Sequence, residues 1–239
     1  MANEIVQVVT DHYQKTFELT YETWKERNRL FVYLVLTTSV GLLFLLRVPE
    51  FDKLLVEAIA SILKIGDSAR VTQLYTNFPF DVLLSAVLVI IFYLMQKLYA
   101  TNLSVFRYYQ YLGAVEDEIR KSLSLTDDSV AFTREGKFYW GGRTVAQNIS
   151  KWLYVLVLLI TLLPFSVLKI AGDIGSKSNI LIVVDIAVSL MTFIFLFEYT
   201  RSALRLDTQK APLEDPQAGN DTKTGQVAIS DGKKTGRKK

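Results

Sequence analysis

Asp185 is the residue that most invites chemistry. It stands near the middle of an otherwise uncharged run, Ser178 to Phe197, and an ionised carboxylate near a helix centre costs about 2.5–3.5 kcal/mol on membrane-insertion scales. Ser178, Asp185, Ser189 and Thr192 are spaced 7, 4 and 3, which gathers them on one face of a helix. Two readings follow. The face either lines a water-filled path, with Asp185 as a cation-attracting ring at the axis of an oligomer, or it hydrogen-bonds inside a helical bundle.

Other chemistry finds little support in the residues. The chain contains no Cys and a single His, His12, so thiolate metal sites, cysteine nucleophiles and multi-His centres are excluded. Neither a phosphate-cradling glycine loop nor a nucleophile elbow occurs, and acids such as Asp127-Asp128 are neighbours that diverge on a helix. The expectation is a protein that is not an enzyme, with no metal and no cofactor.

The elements that hold these residues are read from hydropathy. Half of the 239 residues are hydrophobic and 21% are charged. With mean hydropathy +0.24, that composition points to a membrane protein. Charge-free runs place transmembrane helices at 30–47, 78–99, 152–169 and 178–198, the third bounded by Lys151 and Lys169. A soluble helical core would show a polar face that runs such as VLLSAVLVIIFYLM lack. Lys and Arg number four before the first span, eight in 97–151 and nine after the fourth, against four in 47–81 and two in 169–177. By the positive-inside rule both termini and the central segment are cytoplasmic. The net charge of +3 argues against a nucleic-acid partner.

Segments between the spans carry their own patterns. Ile5, Val9, Tyr13, Phe17, Tyr21 and Trp24 fall on one stripe, and no Pro or Gly interrupts 3–39, which predicts that a cytoplasmic helix over 1–29 continues into the first span. A matching extension follows the second span within 100–151, so the two can close as a helical hairpin. Val130, Phe132, Phe138 and Trp140 around an Arg134–Lys137 turn predict a small β-hairpin, with Phe132, Phe138, Tyr139 and Trp140 as its partner-binding face. In the outer segment 48–77, Phe51 to Ile65 predicts an interfacial helix stopped by Gly66, with Leu54, Leu55, Ala58, Ile59, Ile62 and Leu63 on its apolar face. Within the first span Tyr33, Thr37 and Gly41 form a 4, 4 row that lets another helix approach. Pro164 marks a helix end or kink. Residues 170–177 form a short outer loop, and 207–239 read as a disordered cytoplasmic tail. The fold class expected is an all-α integral membrane protein of four spans, two of them extended as the cytoplasmic hairpin, with the small β-hairpin beside it.

HYQKTFELTYETWKERNRLFVYLVL before and within the first span, with VFRYYQYLGAVEDEIR and FTREGKFYW after the second, resembles the SLATT-type bacterial membrane proteins and their four-span relatives. The resemblance covers roughly residues 10–145 and contains no catalytic signature. It implies a bacterial inner-membrane effector of anti-phage defence that oligomerises, answers to a cytoplasmic protein partner and forms pores.

Overall fold

The computed structural model describes residues 2–126, 129, 131–132, 145–176 and 179–205, with backbone alone at 2–6, 145–148, 150, 176, 179 and 204–205. Six helices are present among them: α1 (Ala2–Leu45), α2 (Pro49–Ile62), α3 (Ser68–Asn77), α4 (Phe80–Ser122), α5 (Val145–Ser176) and α6 (Asn179–Arg205). One compact unit covers Met1–Ala203.

Four of the helices are long and apolar enough to cross a membrane, over Gln7–Leu45, Phe80–Ser122, Lys151–Gly175 and Ile180–Ala203. The described residues are all-helical, with the dimensions of a multi-pass membrane protein. At 1.5 Å per residue α1 and α4 are each about 65 Å long, roughly twice the ~30 Å hydrocarbon thickness, so each has a half that must project.

The core follows a seam repeat. On α4 the buried residues Leu84, Leu88, Ile91, Met95 and Leu98 alternate steps of four and three, and on α5 Leu158, Leu162 and Phe165 do the same. That rhythm keeps one row of side chains facing the neighbouring helices along the whole length. Leu34 of α1 and Leu196 and Tyr199 of α6 complete the cluster.

The α1 packing row differs from the sequence expectation by one position. Leu34, Thr38 and Gly41 are buried, whereas Tyr33 is exposed and Thr37 only half-buried. Gly41 is where a neighbour comes closest: a Cβ there would lie 2.6 Å from Phe165 Cε2 and 3.2 Å from Val87 Cγ1. The aromatic Tyr33 goes outward because the protein face is filled by Leu and small residues.

The projecting halves of α1 and α4 lie side by side and are tied by side-chain hydrogen bonds. Tyr13 Oη donates to Glu116 Oε1 at 2.8 Å, and His12 Nε2 lies 2.8 Å from Tyr111 Oη. The expected stripe divides here. Tyr13 and Phe17 are half-buried, but Tyr21 and Trp24 face outward, stacked at 6.1 Å with Lys25 4.3 Å from the Tyr21 ring centre. Their place on the α4-facing side is taken by Thr20 and Arg27. Thr20 fits a buried site because its hydroxyl donates to the Thr16 carbonyl at 2.7 Å.

The segment between α1 and α4 holds two helices instead of one. Asp67 caps α3 by accepting from Ala69 N at 2.9 Å. The preceding helix ends at Ile62, with Lys64 in the left-handed region at φ 56°, so the exit comes before Gly66. On α2 the buried face is Asp52, Val56 and Ala60, while Leu54, Ile62 and Leu63 are exposed. The largest apolar side chains of α2 are thus free to enter the lipid interface, and the smaller ones meet protein. Among the described residues there is no strand; 133–144, where most of the expected β-hairpin falls, lie outside them, as does the expected tail at 207–239.

Candidate functional site

The α5 seam does not end at Phe165. Continuing by four and four brings Lys169 and Asp173 onto the same buried face, each 1% exposed. Helix α5 runs on to Ser176, beyond the expected boundary at Lys169 and straight through Pro164. A bilayer tolerates such a proline because neighbouring helices shelter the freed carbonyl. Two charges assigned by sequence to the end of the third span or the loop after it are therefore inside the bundle.

Asp185 meets them there. Lys169 Nζ forms an ion pair with Asp185 Oδ2 at 2.8 Å and donates to Asp173 Oδ1 as well. Ser85 of α4 places its hydroxyl 2.7 Å from Asp185 Oδ2 and 3.0 Å from the Asp81 carbonyl, the shorter contact being to the carboxylate. Three helices thus contribute to one cluster, and each reaches it at the same depth. Ser85 is five residues from the start of α4, Asp185 six from the start of α6, and Lys169 seven from the end of α5, each about 8–10 Å along its helix. The cluster sits nearer one end of the bundle than its midplane.

Enclosure decides how Asp185 can act. The side chain is 0% exposed within a single chain, so in this conformation it cannot form a ring at the axis between subunits. Ser189 and Thr192 share its face and are buried; Thr192 donates to the Val188 carbonyl at 2.8 Å, while Ser189 Oγ has no hydrogen-bond partner among the described residues. Ser178 lies outside the described residues. Beyond Thr192 the face turns apolar with Leu196 and Tyr199. The interior is thus polar over two turns and sealed by the apolar seam for the rest.

Two smaller polar groupings stand further along. Where the hairpin enters the bundle, Arg27 Nη1 donates to Asn102 Oδ1 at 3.4 Å and Asn102 Nδ2 donates to Ser202 Oγ at 3.2 Å, linking α1, α4 and α6. At the hairpin tip Arg120 donates to the carbonyls of Thr126, Ser129 and Ala131 at 2.9, 2.6 and 2.8 Å, which folds the chain after α4 back onto the helix. That return sets Phe132, at φ 53°, edge-on to Tyr13 with ring centres 6.3 Å apart. Phe132 therefore packs on the hairpin; Phe138, Tyr139 and Trp140 lie outside the described residues.

Sequence reasoning missed Lys169, Asp173 and Ser85. The available signal was the i, i+4 spacing of Lys169 and Asp173 with apolar Ile170, Ala171 and Ile174 around them, a helix pattern that continues past the first charge. No group of three or more His, Cys, Asp or Glu side chains suited to a metal ion occurs among the described residues. No family model matches the chain, and neither a curated protein nor a solved structure does.

Proposed function

We propose that the protein is a non-enzymatic, multi-span protein of the bacterial inner membrane that assembles as a homo-oligomer and lets ions pass, or otherwise disturbs the bilayer, under control of its cytoplasmic hairpin. The observation that carries this reading is the cluster of Lys169, Asp173 and Asp185 sealed within membrane-spanning helices. Charges in a span are costly and are retained where a polar pathway or a switch needs them. The cluster closes the bundle in this conformation, and the rigid hairpin built from continuous α1 and α4 gives a cytoplasmic partner a lever on two of the spans. Both termini lie in the cytoplasm by the distribution of Lys and Arg. A role as an anti-phage effector of the SLATT type belongs to the same proposal and fits a chain whose outputs are membrane effects without catalysis.

The test is ion flux. High-level expression should depolarise cells, the purified full-length protein should carry potassium across liposomes, and Asp185→Asn should change the rate. Intact membrane potential at high expression together with tight liposomes would reject conduction and leave a membrane scaffold that binds a partner.

A further inference from the structure

Arg27 stands where the hairpin enters the bundle, and no carboxylate among the described residues answers its charge. Its Nε and Nη2 both donate to Asn28 Oδ1, at 3.3 and 2.9 Å, and its Nη1 donates to Asn102 Oδ1 at 3.4 Å, so every acceptor is a neutral amide oxygen. The acids nearby are engaged elsewhere or face away: Glu22 pairs with Lys25 at 2.8 Å, Glu198 with Arg201 at 3.5 Å, and Glu26 is exposed. Asn102 is buried and fixed from α6, since its Nδ2 donates to Ser202 Oγ at 3.2 Å and that hydroxyl donates to the Tyr199 carbonyl at 2.8 Å. Arg27 and Asn28 are only half-buried, which leaves the guanidinium open to the outside of the bundle. The level is that of lipid headgroups. Tyr21 and Trp24 lie exposed just before Arg27, Phe31 one turn after it meets Tyr154 of α5 edge-on with ring centres 4.7 Å apart, and Trp152 is exposed beside them, the Trp and Tyr girdle of a membrane–water boundary.

We propose that Arg27, Asn28 and Asn102 form a binding site for the phosphate of an anionic phospholipid, one per chain, in the leaflet from which the hairpin projects. The Nε and Nη2 edge of a guanidinium is a fork that matches two phosphate oxygens. Here that edge is filled by Asn28 Oδ1, a neutral oxygen on a side chain that can swing aside, and its Nδ2 then becomes a further donor to the phosphate. Nη1 stays on Asn102, which keeps the fork aimed outward. Arg29 and Lys97, both exposed, add to the positive field around the pocket. Basic pockets between spans at headgroup level hold anionic lipids in this way. A lipid bound here grips the junction of α1, α4 and α6, the base of the hairpin. The inference requires only that the helices span a bilayer and is independent of ion passage.

Native mass spectrometry of the full-length protein, released from vesicles of phosphatidylglycerol and phosphatidylcholine in equal amounts, reads the lipid that each chain keeps. The wild-type protein should retain one phosphatidylglycerol per chain in preference to phosphatidylcholine. Arg27→Gln, which can still donate to the neutral oxygens but has no charge, should weaken that retention about tenfold or more. Arg29→Gln, an exposed charge one turn-half away on the same helix, should weaken it about fivefold at most. Equal retention of the two lipids by the wild-type protein overturns the proposal even if no variant folds. Equal losses in Arg27→Gln and Arg29→Gln overturn it as well, because retention would then follow surface charge alone. Inorganic phosphate at the same concentration is the soluble arm: it should leave the retained lipid in place, and displacement would assign the site to a dissolved anion and overturn the lipid reading.

Discussion

The contact between Gly41 and Phe165 gives a prediction whose size can be worked out beforehand. A methyl group at position 41 would stand 2.6 Å from Phe165 Cε2 and 3.3 Å from Cδ2, against 3.5–4.0 Å for carbon atoms at optimal separation. About 1 Å of room is missing, and the ring is 0% exposed in the core, so α1 and α5 must separate or the ring must leave its rotamer. Overpacking of that kind costs about 1–3 kcal/mol. Part of it is offset, because replacing glycine by alanine in a helix gains roughly 0.5–1 kcal/mol. Gly113 on α4 isolates that gain, since a Cβ there meets nothing within 4 Å. The two alanine variants should therefore differ by about 1–3 kcal/mol. At roughly 2–4 °C per kcal/mol for a chain of this size, Gly113→Ala should melt about 2–12 °C above Gly41→Ala. Size-exclusion chromatography of the heated, detergent-solubilised proteins measures this. Adding Phe165→Leu to Gly41→Ala should recover part of the loss, a coupling of about 0.5–3 kcal/mol. Equal melting temperatures for the two glycine variants, or no coupling to position 165, would refute the close approach of α1 and α5.

Two further predictions concern the ends of the molecule. Tyr13→Phe removes the hydroxyl that donates to the 1%-exposed Glu116 carboxylate, which should loosen the hairpin by about 1.5–3 kcal/mol, read as faster amide exchange in the first 25 residues of α1 with the span unaffected. Burial on α2 pushes the Asp52 carboxyl above its usual range, opposed by the Arg47 charge. A carboxyl raised in the folded state favours the protonated form, so its contribution is present below the ordinary value of 3.8 and is lost as pH rises through the folded value. Asp52→Asn should accordingly raise the melting temperature at neutral pH and flatten its decline between acid and neutral conditions; a steeper decline in the variant would reverse the assignment.

The four spans were legible because lipid admits so few alternatives: a charge-free run of about 17 residues flanked by cations has little else to be. The hairpin extensions were legible from the helical runs without Pro that flank the first two spans. What escaped detection escaped for two physical reasons. Treating each charge as the end of a span hides charges that are paired inside, and Lys169 is such a case, because Asp173 and Asp185 meet it within the bundle. Spacing alone also left the packing face uncertain by one position, since lipid is as apolar as leucine and an aromatic side chain gains as much outside the bundle as within it. Tyr33, Tyr21 and Trp24 of α1 face outward, while Leu34, Thr38 and Thr20 are buried beside the expected Gly41; the exposed Leu54 and Ile62 of α2 agree with the interfacial face read from the sequence. The α3 helix was missed because its sequence, SARVTQLYTN, is too polar to show a stripe and depends on the Asp67 cap.

The central claim is that the chain crosses the bilayer four times and leaves both halves of the hairpin on one side. Because the protein contains no cysteine, single substitutions report position without interference. Glu18→Cys and Asp117→Cys, in the two arms of the hairpin, should react with a membrane-impermeant maleimide only after the inner membrane is opened, whereas Glu57→Cys on α2 should react in intact cells. Labelling of residue 18 or 117 in intact cells, or residues 18 and 57 behaving alike, would contradict the account.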